Sequence, residues 1–207
     1  MSELAPSLIA FTLAAALLTV TPGLDTALVL RTAAAEGGRR AFAASLGICL
    51  GCLAWGALVA VGLGMLLQAS ELAYLTLKWV GAAYLVYLGL RLVFAPRGSA
   101  EDGGKGPVPR ANWFARGLLT NLLNPKVGAF YVSFLTQFIP AGASVPSTTL
   151  ILAAIHAGLG LIWFTLLIGA TRPLARLLRN PALVRGLDRA TGGVLIFFGL
   201  RLAFSRQ

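Results

Sequence analysis

Two proline-bearing interruptions place charge beside breaks in long apolar stretches. Thr21-Pro22-Gly23 is followed by Asp25, and Asn124-Pro125 is followed by Lys126. Proline removes a backbone donor and clashes with the preceding turn, and glycine lets the chain bend freely. Inside a membrane the carbonyls freed in this way must find partners in protein or water. An Asp or Lys facing lipid at the bilayer centre costs about 2.5–3.5 kcal/mol on insertion scales. That cost is avoided where both groups face a wet cavity. Asp25 and Lys126 are therefore expected to line one site, with pairing between them as one arrangement. A competing placement puts Asp25 about 30 Å along a helix counted from Leu4, at its cytoplasmic end. Helix N-termini created by the breaks direct partial positive charge at a carboxylate. Asp25 offers a counter-charge to an ammonium and can exchange a proton. Thr21, Asn121 and Asn124 add neutral donors and acceptors. Such a set suits a zwitterion.

Other candidates are weaker. Cys49 and Cys52 form a C-x-x-C inside an apolar run. They read as two small helix-packing residues, since no second Cys or His cluster accompanies them. His156 stands alone in its stretch and reads as an interhelical hydrogen-bonding group, with a proton relay as the alternative. Gly47 and Gly51 make a GxxxG, which permits close helix packing and a homodimer. No metal site and no cofactor are expected.

The elements that must position these residues are set by composition. The chain has 207 residues, of which 57% are hydrophobic and 12% charged, and its mean hydropathy is +0.82. A soluble domain carries about a quarter charged residues. Leu4–Leu24 and Ala41–Ser70 contain no Asp, Glu, Lys or Arg, nor does Val127–Thr171, and a span needs roughly 20 apolar residues. The fold class is thus an all-α integral membrane protein of six transmembrane helices, with the lipid bilayer as its solvent. The spans are expected near 8–34, 41–67, 72–94, 113–138, 148–171 and 187–205, the first and fourth interrupted at the two breaks. Pro96–Pro109 reads as a loop, Ile139–Ser147 as a turn and Arg172–Arg185 as a short surface helix.

The formal net charge of +10 resembles a nucleic-acid signal, but its distribution argues otherwise. Lys and Arg concentrate in the connectors between spans 1 and 2, 3 and 4, and 5 and 6, as topology determinants do. Those connectors are then cytoplasmic and both termini periplasmic. No basic n-region precedes the first apolar run, so that run reads as a span rather than a signal peptide.

The two halves look related. Gly89-Leu-Arg-Leu92 closes the third span and Gly199-Leu-Arg-Leu202 the sixth, Phe11 falls on Phe114, and Thr21-Pro22-Gly23 falls on Asn124-Pro125-Lys126. Three spans per half require the second half to be inverted, as in transporters whose site lies at broken helices near the midplane. One membrane domain, 1–207, then divides into a first repeat at about 1–95, a cytoplasmic loop at about 96–112 and a second repeat at about 113–207.

Thr21-Pro22-Gly23-Leu24-Asp25, Gly81-Ala-Ala-Tyr84-Leu85 with Gly89, and Asn124-Pro125-Lys126 occur in that order across the chain. In this it resembles the LysE/RhtB family of bacterial amino-acid exporters, although the family commonly has a second proline where Leu24 stands. The resemblance implies secondary export of amino acids or related small metabolites across the inner membrane, driven by the proton-motive force. It implies a site formed by Pro22, Gly23, Asp25, Tyr84, Asn124, Pro125 and Lys126. No G-x-x-x-x-G-K-[ST] loop is present, in keeping with the absence of an ATPase. Rival classes are a permease for another solute or cation, a membrane-embedded enzyme and a structural subunit. One His and one helical Asp make a poor metal pathway, and no nucleophile–base pair stands at useful spacing. The expected partners are an amino acid, protons and lipid.

Overall fold

The computed structural model describes residues 4–69, 71–96, 112–170 and 180–204, and these form an all-helical protein. Helix α1 (Leu4–Val20) ends at the first break, and α2 (Leu24–Glu36) continues from it at a bend of 51°. Gly37, with φ 90°, turns the chain into α3 (Gly38–Ala69), in a backbone region that suits glycine. Helix α4 (Glu71–Phe94) closes the first half. Helix α5 (Trp113–Leu122) stops at the second break, and α6 (Pro125–Ala129) restarts with proline at its first turn, where no N–H is missed. A π-helical turn, Phe130–Phe134, and a 3-10 turn, Leu135–Phe138, extend this element. Helices α7 (Val145–Gly169) and α8 (Pro181–Phe204) are the last two of the described elements.

Both expected interruptions are present. Several boundaries moved: the first helix starts at Leu4 rather than 8, the second at Gly38 rather than 41 and the last at Pro181 rather than 187. The π-helical turn was not foreseen. Most of the expected 96–112 loop, and residues 172–179 of the expected surface helix, lie outside the described residues. Among the described residues, Gly38–Gly62 and Val145–Gly169 are long and apolar enough to cross a membrane, and α1 with α2 makes a third, bent candidate.

The outer surface is apolar. Leu13 is 69% exposed, Ile162 62% and Val61 64%, a pattern suited to hydrocarbon rather than water. Several hydroxyls are satisfied within their own helices: Thr12, Thr19 and Thr32 each donate at 2.7 Å to the carbonyl one turn back. The larger buried cluster is aromatic. Phe11 packs on Phe130 and Phe138, and Phe198 packs on Phe134 and Phe138. This joins α1, the segment after α6, and α8.

Small residues decide how closely the helices approach. A Cβ on Gly89 would lie 2.6 Å from the Gly192 carbonyl oxygen, and one on Gly192 would lie 2.6 Å from the Gly89 oxygen. A Cβ on Gly199 would lie 3.1 Å from the Ala82 oxygen and 2.8 Å from Val86. The same chain spacing separates Gly89 from Gly199, Ala82 from Gly192 and Val86 from Ile196. The contacts of α4 on α8 are thus reciprocal. The expected match of Phe11 with Phe114 has no such counterpart, because Phe11 is fully buried and Phe114 is exposed. The Gly47/Gly51 face is also accounted for within the chain. A Cβ on Gly47 would meet the Phe114 and Leu118 backbone, and one on Gly51 the Asn121 side chain. That face is covered by α5, so the GxxxG does not offer a surface to a second copy.

Candidate functional site

Pro22 has no N–H, so the carbonyl of Leu18, four residues earlier, loses its helical donor. Lys126 Nζ supplies a replacement, donating to Leu18 O at 3.4 Å and to Thr21 O at 3.5 Å. The lysine cation thereby sits at the C-terminal, partially negative end of α1. Asp25 lies in the first turn of α2, at the partially positive end of that helix. Each charge from one interrupted element thus meets a helix end created by the first break. The second break is built differently. Asn124 caps α6, its Oδ1 accepting from the Lys126 backbone N–H at 3.1 Å. One turn earlier, Asn121 Nδ2 donates to Asp25 Oδ2 at 2.9 Å. The two interruptions are therefore tied directly to each other.

A cavity lies between them. Thr21, Gly23, Asp25, Asn121, Asn124 and Lys126 form one wall, and Ile48, Cys49 and Cys52 of α3 with His156, Ala157, Gly160 and Phe164 of α7 form the other. Its volume is about 50 Å³, several times the roughly 10–15 Å³ that one water needs. Asp25 Oδ1 and Asn121 Oδ1 are buried with no hydrogen-bond partner among the described residues. Two unsatisfied buried acceptors on one cavity wall are costly unless a donor reaches them, and an ammonium is such a donor.

Of the expected site residues, Thr21, Gly23, Asp25, Asn121, Asn124 and Lys126 line this cavity. Pro22 and Pro125 act through the backbone, by shaping the breaks. Tyr84 is not among the lining residues and packs against Tyr87 on α4, with ring centroids 6.2 Å apart.

Several features of the site were not read from the sequence, whereas the expected interhelical hydrogen bond of His156 is present. Cys49 and Cys52, taken there as packing residues, both reach the cavity, and Cys52 Sγ lies 3.5 Å from Asn121 Nδ2. Their spacing of one helical turn was a usable signal. His156 also lines the cavity, its Nδ1 held 3.0 Å from the Tyr131 hydroxyl. Tyr131 is carried by the π-helical turn, a feature common at functional sites. Thr191 of α8 meets Thr21 hydroxyl to hydroxyl at 2.5 Å and fixes the end of α1. Three residues before it, Asp188 is fully buried, so Asp25 is not the one helical acid of the chain.

Comparison with known proteins follows the same lines. The family model described as "LysE type translocator" matches residues 16–206. The chain is 30% identical to a homoserine/homoserine lactone efflux protein of Salmonella typhimurium (strain LT2), over 96% of each chain. It is 30% identical to a leucine efflux protein of Enterobacter sp. (strain 638), over 89% of each. It is 29% identical to an uncharacterized membrane protein of Bacillus subtilis (strain 168), over 96% of this chain and 99% of that one. No solved structure matches it. The broken helices and the cavity between them belong to a membrane transporter rather than an enzyme. The chain belongs to the LysE type translocator family.

Proposed function

We propose that this protein is a secondary transporter that exports amino acids or closely related metabolites across the bacterial inner membrane, coupled to protons. Transport proceeds by alternating access at the cavity between the two interrupted helices. The observation that carries the reading is the juxtaposition, at one cavity, of the Asp25 carboxylate and the Lys126 ammonium, each seated at a helix end. A zwitterion presents the complementary pair. Its ammonium is matched by the Asp25 carboxylate, whose buried Oδ1 has no hydrogen-bond partner among the described residues, and its carboxylate by the Lys126 cation. Relatives named for efflux of homoserine, homoserine lactone and leucine support the substrate class and direction. The reciprocal contacts of α4 and α8 support six spans in two inverted halves. These comprise about 1–95 and 113–207 around a cytoplasmic loop, with both termini periplasmic. The cation-permease alternative is disfavoured, because no group of three or more His, Cys, Asp or Glu among the described residues could hold a metal ion.

The test is counterflow in proteoliposomes with a panel of amino acids, with and without a pH gradient. Movement of at least one amino acid, stimulated by the gradient, is expected. No movement of any amino acid discards the proposal. Asp25→Asn keeps the hydrogen-bonding shape but not the exchangeable proton. It is expected to remove the response to the pH gradient, and full retention of that response would exclude Asp25 as the coupling group.

A further inference from the structure

The charged wall accounts for the two charges common to all amino acids, and the opposite wall is of another kind. Along α7, Ala157, Gly160 and Phe164 line the cavity beside Ile48 and Cys49 of α3, the Cys49 thiol donating to the Ala157 carbonyl at 3.4 Å. Among the described lining residues, Asp25 and Lys126 are the only Asp, Glu, Lys or Arg. A zwitterion occupies both of them. A third charge on the substrate would be buried without a counter-ion, which is strongly unfavourable. The imidazole of the second wall, His156, has its Nδ1 engaged by the Tyr131 hydroxyl and lies tilted against the Phe130 ring, centroids 4.9 Å apart.

Gly160 lies between these apolar groups. A Cβ built on it would stand 3.7 Å from the Phe164 ring and 3.9 Å from Cys49 Sγ. Both are ordinary contact distances, and both neighbours line the cavity. A methyl group at this position therefore fits at ordinary contact distance from two residues that line the cavity, and larger groups take their room from the cavity.

Resting on the amino-acid transport reading above, we propose that the α3/α7 wall is the side-chain subsite, that it accepts neutral apolar side chains and rejects charged ones, and that Gly160 sets its depth. A hydrophobic pocket discriminates by roughly 10–200-fold per methylene that it gains or loses. Filling the space at Gly160 should thus penalise long side chains more than short ones.

The experiment is proteoliposome counterflow of alanine, valine, leucine, lysine, arginine and glutamate by the wild-type chain and by Gly160→Ala and Gly160→Val. For the wild type, the three charged amino acids are expected at least about tenfold below leucine. For Gly160→Val, the leucine-to-alanine ratio of kcat/KM is expected to fall by roughly tenfold or more, with Gly160→Ala between. The ratio is insensitive to how much protein is correctly folded, and Gly160→Ala carries the comparison if the valine variant does not reconstitute. Lysine, arginine or glutamate moving as well as leucine overturns the subsite. So does a proportional loss of alanine and leucine transport in the variants. If the wild type moves no amino acid at all, the transport reading itself fails, and the subsite with it.

Discussion

Lys126 illustrates how one side chain serves a fold and a site together. Its ammonium reaches out of α6 to the carbonyls of Leu18 and Thr21, one of which is orphaned by Pro22. Hydrogen bonds from a charged donor contribute roughly 1.5–3 kcal/mol, and an orphaned buried carbonyl costs a comparable amount. Lys126→Met keeps the stem and removes the donor. It is expected to lower thermal stability in detergent and to reduce amino-acid counterflow by tenfold or more. Unchanged counterflow with lowered stability would confine Lys126 to a structural role. The lysine was legible in the sequence as a charge beside a break. Its acceptors were not, because they belong to an element more than a hundred positions away.

At the scale of elements, the interruption of the first helix is a backbone effect. Pro22 denies Leu18 its donor and separates α1 from α2 by a bend of 51°. Pro22→Ala restores an N–H that competes with Lys126 for the Leu18 carbonyl and favours a continuous helix. That change moves Asp25 from the first turn of a helix into its interior, away from the favourable end of the dipole. Counterflow is expected to fall at least tenfold while the protein stays folded, because proline removal does not weaken a helix. Wild-type transport by Pro22→Ala would show that the bend is not required. The second break was equally visible as Asn124-Pro125, but the π-helical turn after it was not. Nothing in Phe130-Tyr-Val-Ser-Phe134 distinguishes a π-helical from an α-helical turn by residue type. Packing against α4, α8 and α3 accompanies the wider turn.

At the scale of the molecule, the arrangement of Lys and Arg along the chain sets the orientation by the positive-inside rule. With Cys49 and Cys52 replaced by alanine, Ser2→Cys is expected to react in intact spheroplasts with a membrane-impermeant maleimide. Labelling only after permeabilisation would invert the proposed topology. The relation between the halves also belongs to this scale. The Gly-Leu-Arg-Leu echo in the sequence coincides with reciprocal contacts where α4 crosses α8. The Phe11–Phe114 echo coincides with nothing, since one ring is in the aromatic core and the other is exposed.

The sequence by itself determined the solvent, the helical class, the two breaks and the charges beside them. Each of these follows from local chemistry: long apolar runs, a proline without an N–H, and a charge too costly to leave in lipid. Tertiary structure alone decided which distant groups answer those local demands. It brought Asn121 to Asp25 and Lys126 to the end of α1. It turned Cys49, Cys52 and His156 toward the cavity, left Tyr84 out of it and used the Gly47/Gly51 face for α5. These outcomes depend on how helices rotate and cross. Small differences in packing between uniformly apolar surfaces settle that rotation, and a sequence so rich in Ala, Gly and Leu carries little trace of them.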